Sequence, residues 1–307
     1  MEIYKKIIPN QKLRLNLLKL SDKISDKKII KAQYFVKTGR FLNLKNPVRY
    51  TEKIQWYKLN YRNQNMVNCS DKYLVRDYVK SKNLGKLLND LYGVYQNVDD
   101  IDFESLPNEF IIKATHGSGT NIIVKDKTNL DISKVKQTLN EWLKLKFNYG
   151  REWAYYDIKP KIIIEKLLAR DHNNDLPDYK FFCFNGKVEY LYTMIDYVDD
   201  HSAGKCSFFT KDFKQLPYKR SEYKAIDISL DKPKNFDEMI KFSEILSKDF
   251  PHVRVDFYNI NGNIIFGELT FYNASGYTKF DPDEFDYILG EKFQLPQIES
   301  IVESENL

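Results

Sequence analysis

Hydrophobic residues recur at helical spacing in the first third of the chain. In YTEKIQWYKLNYR (50–62), Ile54, Tyr57 and Tyr61 follow one another at intervals of three and four residues. Thr51 precedes this run and has a hydroxyl that suits the N-cap position. The pattern therefore predicts a helix that begins at Thr51 and buries one aromatic face.

A second helix is predicted over CSDKYLVRDYVKSKNLG (69–85), which Ser70 would cap and Gly85 would end. Lys72 and Arg76 are four residues apart, so they share one helical face. Because neighbouring cations repel each other, that face is expected to meet either solvent or an anion. The apolar face is expected to contain Leu74, Val75, Tyr78 and Val79.

From about residue 107 the apolar residues alternate with the period of a β-strand. EFIIKAT (109–115) and IIVKD (122–126) are expected to pair across the turn HGSGTN (116–121). Two further hairpins are expected around Asn185-Gly186 and Asn261-Gly262. A buried strand is expected over 161–169, and helices are expected over 131–147 and 236–250. These patterns predict an α+β fold whose strands are joined mostly as antiparallel hairpins.

Composition narrows the class of protein only slightly. The chain has 307 residues, 42% of them hydrophobic, which suffices for one large domain or two lobes with a small extension. The formal net charge of +5 is typical of a solvated surface with a mild preference for anions. Cys69, Cys183 and Cys206 lie far apart and lack metal-site spacing, so reduced thiols in a cytoplasmic protein are expected.

The first 40 residues are basic and contain scattered Leu and Ile. Residues 10–24 predict an amphipathic helix, and the start of the chain lacks the apolar core of a secretory signal. The favoured interpretation is a helix packed on the main body with a solvated basic face. The alternative is peripheral association with an anionic membrane or glycan, which would place the protein at the inner face of the membrane.

The turn after Lys113 is a candidate phosphate site. Lys113 lies inside a predicted strand, and Gly117, Ser118 and Gly119 follow at the tip of the hairpin. Small residues there expose backbone N–H groups and allow close approach of a phosphate, for which an inward lysine adds a charge. Taken alone, an ordinary hairpin with a solvated lysine explains the pattern better, since it matches neither of the standard glycine-rich nucleotide motifs.

Asp256 and Glu268 are two carboxylates within apolar strands that are expected to form a hairpin. A three-residue loop (261–263) would place them opposite each other, where they would repel unless a cation such as Mg²⁺ lay between them. A two-residue loop would instead pair Asp256 with Gly267 and point the carboxylates to opposite faces. Arg254 is two residues from Asp256 on the same face and is a candidate anion ligand.

In this order, the strand lysine, the glycine turn, a strand ending in Glu-Lys and RVDF…GELTFYNASG resemble the ATP-grasp superfamily. Five short sequence motifs narrow the resemblance to one family within this superfamily: EKIQWYKL, DKYLVRDYV, IIKATHGSGTNIIVKDK, DYKFFCFNGK and DPDEFDYILGEKF. They are similar to the TupA-like (teichuronopeptide biosynthesis) ATP-grasp proteins of bacterial surface polysaccharide loci. The resemblance covers residues 30–295 and implies two α+β lobes that hold ATP between antiparallel sheets.

For the nucleotide, the resemblance implies a role for each matching position. Lys113 would contact the phosphates, and the mobile loop Gly117, Ser118, Gly119 and Thr120 would close over them. The adenine would bind at the hinge formed by Glu165, Lys166, Leu167 and Leu168, and Asp178 would meet the ribose.

For the metal and the chemistry, the resemblance assigns Asp256 and Glu268 as Mg²⁺ ligands. Many relatives carry Glu-x-Asn at this place, whereas this chain has Glu268-Leu269-Thr270, which leaves Thr270, Asn273 or water as the third ligand. Asn273 is the favoured third ligand. Arg254 would hold the carboxylate or acyl phosphate, and Lys180 would reach phosphate or substrate.

The implied activity is an ATP- and Mg²⁺-dependent carboxylate–amine ligase that acts through an acyl phosphate. Its expected partners are a uronic-acid glycan or other acidic polysaccharide and an amino acid or small amine. The alternatives are an ATP-dependent sugar kinase and a glycan-binding protein on a degenerate fold. Nucleic acid is an unexpected partner because the basic residues are dispersed.

The expected division of the chain is a basic helical extension (1–60), an N-terminal lobe (61–108), a small lobe with the glycine turn (109–168), a large lobe with the metal site (169–295) and a tail (296–307). His116 and the segment Arg151-Glu152-Trp153 are further candidates for shaping the acceptor site.

Overall fold

The structure is a computed structural model that describes residues 24–146, 149–172, 174–197 and 203–297. Nearly all of the basic helix expected over residues 10–24, and most of the expected tail, lie outside these ranges. None of the helices within the described ranges combines the length and the apolar character that crossing a membrane requires.

Four of the α-helices in the described residues lie in about the first quarter of the chain, two more lie between strands, and one follows the last strand. Their bounds are α1 Asp26–Thr38, α2 Tyr50–Asn60, α3 Gln64–Ser70, α4 Val75–Ser81, α5 Ile132–Trp142, α6 Phe236–Ser247 and α7 Phe285–Lys292.

The strands form two larger antiparallel sheets and a short two-stranded one. Their bounds are β1 Leu91–Tyr95, β2 Phe110–Ala114, β3 Asn121–Val124, β4 Ile162–Lys166, β5 Asp178–Phe184, β6 Lys187–Ile195, β7 Lys205–Thr210, β8 Lys219–Arg220, β9 His252–Ile260, β10 Asn263–Thr270 and β11 Phe280–Asp281. This arrangement confirms the α+β class with antiparallel pairing.

The start of α2 differs from the sequence expectation. The helix begins one residue before Thr51, and the Glu52 carboxylate accepts the backbone N–H groups of Val48 and Arg49 at 3.0 and 3.1 Å. Thr51 is buried inside the helix and donates its hydroxyl to Asp286 at 2.8 Å. A tertiary contact therefore uses the hydroxyl that the local pattern assigned to a cap.

The helix expected over 69–85 is divided in two. Ser70 ends α3, and Asp71 then accepts the backbone N–H groups of Tyr73 and Leu74 at 2.7 and 3.0 Å before α4 begins. An aspartate that satisfies two N–H groups locally stabilises a turn at this point. The turn carries Lys72, whose backbone N–H donates to the Thr115 carbonyl oxygen at 3.0 Å and so ties this region to β2.

The first sheet has the strand order β1-β4-β2-β3 and packs against α5. β1 is a strand that the sequence analysis missed. It is a short edge strand with a break in register between Leu91 and Gly93, and most of its residues are only half-buried. Such a strand lacks the clear alternation that predicted β2 and β3.

The second sheet has the order β10-β9-β5-β6-β7, and α6 packs against it within the largest apolar core. Both predicted Asn-Gly hairpins are present. Asn185 and Gly186 have φ of 49° and 73°, and Asn261 and Gly262 have φ of 52° and 90°. Positive φ at both central residues is the geometry of a two-residue turn whose twist matches that of the strands.

The β9–β10 hairpin combines features of both loop alternatives. The loop has two residues, so the three-residue loop is wrong, and the ladder pairs Phe257 with Phe266 as a two-residue loop requires. Gly267 then forms a β-bulge, the register shifts by one, and Asp256 pairs with Glu268. A side chain at 267 would place its Cβ 3.0 Å from the carbonyl oxygen of Asp256, which explains the glycine.

Candidate active site

A cleft runs between the two larger sheets, bordered by α4, the glycine turn, β4, β5 and the β9–β10 hairpin. Ten of the predicted site residues line it: Lys113, Ser118, Gly119, Thr120, Glu165, Leu168, Asp178, Lys180, Asp256 and Glu268. Gly117 and Arg254 line an adjoining cavity, and Lys166 and Leu167 line a separate one beside the hinge.

The glycine turn has the backbone that its sequence predicts. Gly117 and Gly119 have φ of 73° and 75°, a conformation that strains residues with a side chain. Lys72 donates from Nζ to the Gly117 carbonyl oxygen and is itself largely buried, and this burial lowers its pKa. The lysine fixes the base of the turn from the N-terminal helical region.

Two cations on this side of the cleft share one carboxylate. Lys113 Nζ donates to Glu165 Oε2 at 2.8 Å, and Arg76 Nη1 donates to Glu165 Oε1 at 3.1 Å. Arg76 and Lys72, which the sequence places on one face, both line the cleft, as expected for cations that meet an anion or solvent. Two cations share the Glu165 carboxylate and Lys72 adds a third positive charge, so this side of the cleft has an excess of positive charge.

Arg254 is the centre of the opposite side. Its Nε and Nη2 donate to the two oxygens of Asp256, each at 2.7 Å, and Nη2 also donates to Glu268 Oε1 at 3.1 Å and Thr270 Oγ1 at 3.0 Å. Nη1 donates to Asn273 Oδ1. All three residues predicted as metal ligands therefore accept hydrogen bonds from one buried guanidinium.

Lys180 completes this cluster from the neighbouring strand. Its Nζ donates to Asp256 Oδ2 at 2.8 Å and also forms an ion pair with Asp178. Burial favours the neutral form of Asp256, but the charges of Arg254 and Lys180 outweigh it and lower the pKa of that carboxyl. Burial raises the pKa of Asp178, and Lys180 opposes this change only in part.

Two buried oxygens in the cleft are unused within the described part of the chain. Asp178 Oδ1 and Thr120 Oγ1 are shielded from solvent and have no hydrogen-bond partner there. An unsatisfied buried polar atom is costly and is typical of a site that a ligand completes. The resemblance assigns Asp178 to the ribose and Thr120 to the phosphate loop, and unpaired oxygens in a shared cleft are compatible with a polar ligand such as a nucleotide.

The donor set for a divalent cation is partly present. Asp256 and Glu268 offer oxygens on neighbouring strands, and the Glu268 side chain is 50% exposed, which leaves open positions for water and phosphate. Among the described residues, no group of three or more His, Cys, Asp or Glu side chains is arranged for a metal ion. The carboxylate pair fits Mg²⁺, which keeps several waters, better than a metal held by protein ligands alone.

Arg76, Asn89 and Tyr258 also line the cleft, although the sequence analysis did not assign them to the site. The four-residue spacing of Lys72 and Arg76 indicated that Arg76 could face an anion, and this was the one sequence signal for its place in the site. Asn89 lies in an irregular segment, and Tyr258 is one of 22 tyrosines, so neither had a distinguishing pattern.

Comparison with known proteins gives one family and several structures. Residues 52–294 match the family model described as TupA-like ATPgrasp. No curated protein sequence matches the chain.

Among solved structures, the chain is similar to D-alanine–D-alanine ligase from Bacillus anthracis complexed with ATP, at 16% identity and a TM-score of 0.42, over 66% of this chain and 55% of that one. It is also similar to the ATP-grasp ligase PsnB complexed with a precursor variant, Mg and ADP, at 11% identity and a TM-score of 0.42, over 80% and 66%. The chain spans little more than half the length of the D-alanine–D-alanine ligase structures from this organism.

Proposed function

The chain belongs to the TupA-like ATP-grasp family, and from this premise we propose that it is an ATP- and Mg²⁺-dependent carboxylate–amine ligase. Its reaction would proceed through an acyl phosphate. Its substrates would be the carboxylate of a uronic-acid unit in a bacterial surface polysaccharide and an amino acid or similar amine. The polysaccharide and the amine are inferred from the family alone.

The observation that carries the proposal is the cluster around Arg254. One buried guanidinium lies between two carboxylates suited to Mg²⁺, across the cleft from Lys113 and the glycine turn. Metal, phosphate and carboxylate groups all need to meet in a reaction that phosphorylates a carboxylate. The cleft has carboxylates that suit the metal ion and basic groups that suit the phosphate and the carboxylate substrate.

ATP, when bound, supplies the phosphoryl group that activates the carboxylate. Lys113 and Arg76 would offset phosphate charge from one side, and the glycine turn, which lines the same cleft, would offer backbone N–H groups. Arg254 already gives its N–H groups to Asp256, Glu268, Thr270 and Asn273, so it would act on the carboxylate or acyl phosphate through its positive charge. Arg254 and Lys180 hold Asp256 in its charged form, and Asp178 Oδ1, which has no partner among the described residues, would accept a hydrogen bond from the nucleotide.

The test is a screen for ADP release with the full chain, Mg-ATP, a set of uronic acids and a set of amino acids. We expect ADP and phosphate only when both substrates are present, with a product whose mass equals that of the two joined with loss of water. A phosphorylated sugar would instead identify a kinase. Failure of Mg-ATP to raise the melting temperature of the protein would contradict the proposal altogether.

A further inference from the structure

A second cavity opens beside the nucleotide cleft, and the part of its wall that lies away from that cleft has no role in the function proposed above. The two share Lys72, Ser118 and Glu268, so they meet at the tip of the glycine turn. The far wall of the second cavity comes from α3, the short helix Trp153–Tyr155 and the turn after β10. A molecule in it would lie next to the group that is activated in the cleft.

The charged residues in the lining of this cavity are two cations, Lys72 and Arg254, and two carboxylates, Glu152 and Glu268, and six further lining residues carry hydroxyl groups. These six are Ser70, Ser118, Tyr155, Thr270, Tyr272 and Ser275. The Tyr272 hydroxyl is buried and has no hydrogen-bond partner within the part of the chain that the structure describes. Since a buried hydroxyl without a partner destabilises the folded state, this one marks a place where a polar ligand would bind.

Glu152 contributes a carboxylate to the same cavity. Among the described residues, the basic group within 4.0 Å of this carboxylate is Lys58 Nζ, which lies 4.0 Å from Oε1 and thus beyond hydrogen-bond distance. Lys58 uses its three N–H groups elsewhere, on the Gly150 and Ser275 carbonyl oxygens and the Ser275 hydroxyl, at 2.9, 2.7 and 2.9 Å. We find no hydrogen bond to the Glu152 carboxylate within the described ranges, so it remains available to a ligand.

The cavity wall includes a strained turn. Ala274 and Ser275 have φ of 45° and 56°, in the left-handed region that residues with side chains avoid. Lys58 and Gln55 hold this turn by hydrogen bonds to its carbonyl oxygens. Strain of this kind persists only where surrounding contacts enforce it, and it is concentrated at ligand sites. The wall beside Glu152 is therefore held in a defined conformation by these hydrogen bonds.

We propose that this second cavity is the binding site for the amine substrate, and that Glu152 selects it by binding its ammonium group. The proposal rests on the ligase function proposed above and assigns a substrate class to one pocket. The class is a small polar molecule with a primary amine, either a free amino acid or an amino sugar. The hydroxyl groups contact the rest of the ligand, and Lys58 holds the strained turn by its hydrogen bonds to Ser275.

The test is a binding measurement that needs no turnover. Amino acids and amino sugars are titrated by calorimetry into the full chain, with and without Mg²⁺ and a non-hydrolysable ATP analogue. Each amine that binds is compared with its N-acetyl form in wild type, Glu152→Gln and the matched control Glu238→Gln, an exposed glutamate on α6. The melting temperature without ligand shows whether each variant is folded.

We expect N-acetylation of the ligand, and separately Glu152→Gln, to weaken binding about tenfold or more, the effect of losing one charged hydrogen bond. Glu238→Gln should leave binding unchanged. The proposal is overturned if no amine binds the wild type, or if a folded Glu152→Gln variant binds amines as tightly as the wild type. Amine binding without any ADP release in the substrate screen would instead support the pocket and overturn the ligase function.

Discussion

The two walls of the cleft differ in the sign of their charge. On the first sheet and its neighbouring helix, the cationic wall consists of Lys72, Arg76, Lys113 and Glu165. Here one carboxylate is shared by two cations, and Lys72 adds a third charge nearby. Lys113 is 28% exposed at its side chain, so part of this wall meets solvent.

On the second sheet, the acidic wall consists of Asp178, Lys180, Arg254, Asp256 and Glu268. Three carboxylates there face two cations, and the side chains of Asp178, Arg254 and Asp256 are buried, whereas those of Lys180 and Glu268 are 13% and 50% exposed. Buried charges depend on their partners much more than exposed charges do, because water cannot replace a lost ion pair.

The difference in charge suggests that the two walls bind different groups of the ligand. An excess of cations suits phosphate groups, and an excess of carboxylates suits a divalent cation. The difference in burial adds a second contrast. The same type of substitution should cost stability on the acidic wall and mainly ligand affinity on the cationic wall.

Asp256→Asn should give the largest effect. The change leaves Arg254 and Lys180 buried with less opposing charge, and we expect the metal-free protein to lose about 3–5 kcal/mol of unfolding free energy. Urea unfolding in EDTA measures it, with Asp237→Asn, an exposed partner of Lys232, as the control. A stability equal to that of wild type would show that the acidic wall is not held by its ion pairs.

Acid should destabilise the strand that carries the acidic wall. His252 begins β9, where its Nε2 accepts a hydrogen bond from the Tyr50 hydroxyl at 2.9 Å and its Nδ1 donates to the Cys183 carbonyl oxygen at 2.9 Å. Burial, with a smaller contribution from the charge of Arg254, lowers the pKa of His252 to about 3. The imidazole is therefore neutral in the folded protein.

The unfolded chain binds a proton at this residue near pH 6.5, whereas the folded protein resists it until about pH 3. Stability from this residue is thus complete above pH 6.5 and is lost as the pH falls toward 3, by about 2 kcal/mol at pH 5. Thermal unfolding of wild type and His252→Gln from pH 8 to 4 isolates the effect. Identical slopes for the two proteins would assign the acid sensitivity to other groups.

Lys113→Ala should act on affinity, in contrast to Asp256→Asn. Glu165 keeps Arg76 as its partner and the lysine is partly exposed, so the expected loss of stability is under about 1 kcal/mol. Binding of Mg-ATP should weaken about tenfold, since a cation near the phosphates is lost. Calorimetry compares it with Lys125→Ala at the exposed end of the same hairpin, and equal affinities would remove Lys113 from the site.

Glu268→Gln should change stability least, although it pairs with the same arginine as Asp256. Its side chain is half-exposed, and solvent screens its 3.1 Å ion pair, so less than about 1 kcal/mol is expected in EDTA. If Glu268 binds Mg²⁺, the stabilisation that Mg-ATP gives the wild type should fall in the variant. An unchanged response to Mg-ATP would assign Glu268 to the scaffold.

Local pattern by itself determined the parts of this protein whose geometry depends on neighbours in sequence. The two Asn-Gly turns, the strands on either side of them and the glycine turn after Lys113 follow from alternation and from residues that tolerate positive φ. The order of the short sequence motifs along the chain also indicated the family. The expected division into lobes and the assigned site roles remain predictions.

Tertiary structure decided which side chains meet. The shift at Gly267 brings Glu268 opposite Asp256, and a period of two cannot reveal where one extra residue is inserted into a strand. Thr51 lost its expected capping role to a buried partner 235 residues away, and Glu165 gained two cations, one of them from a helix far earlier in the chain. Such contacts depend on how elements pack, because the energy of a buried charge depends on its neighbours in space.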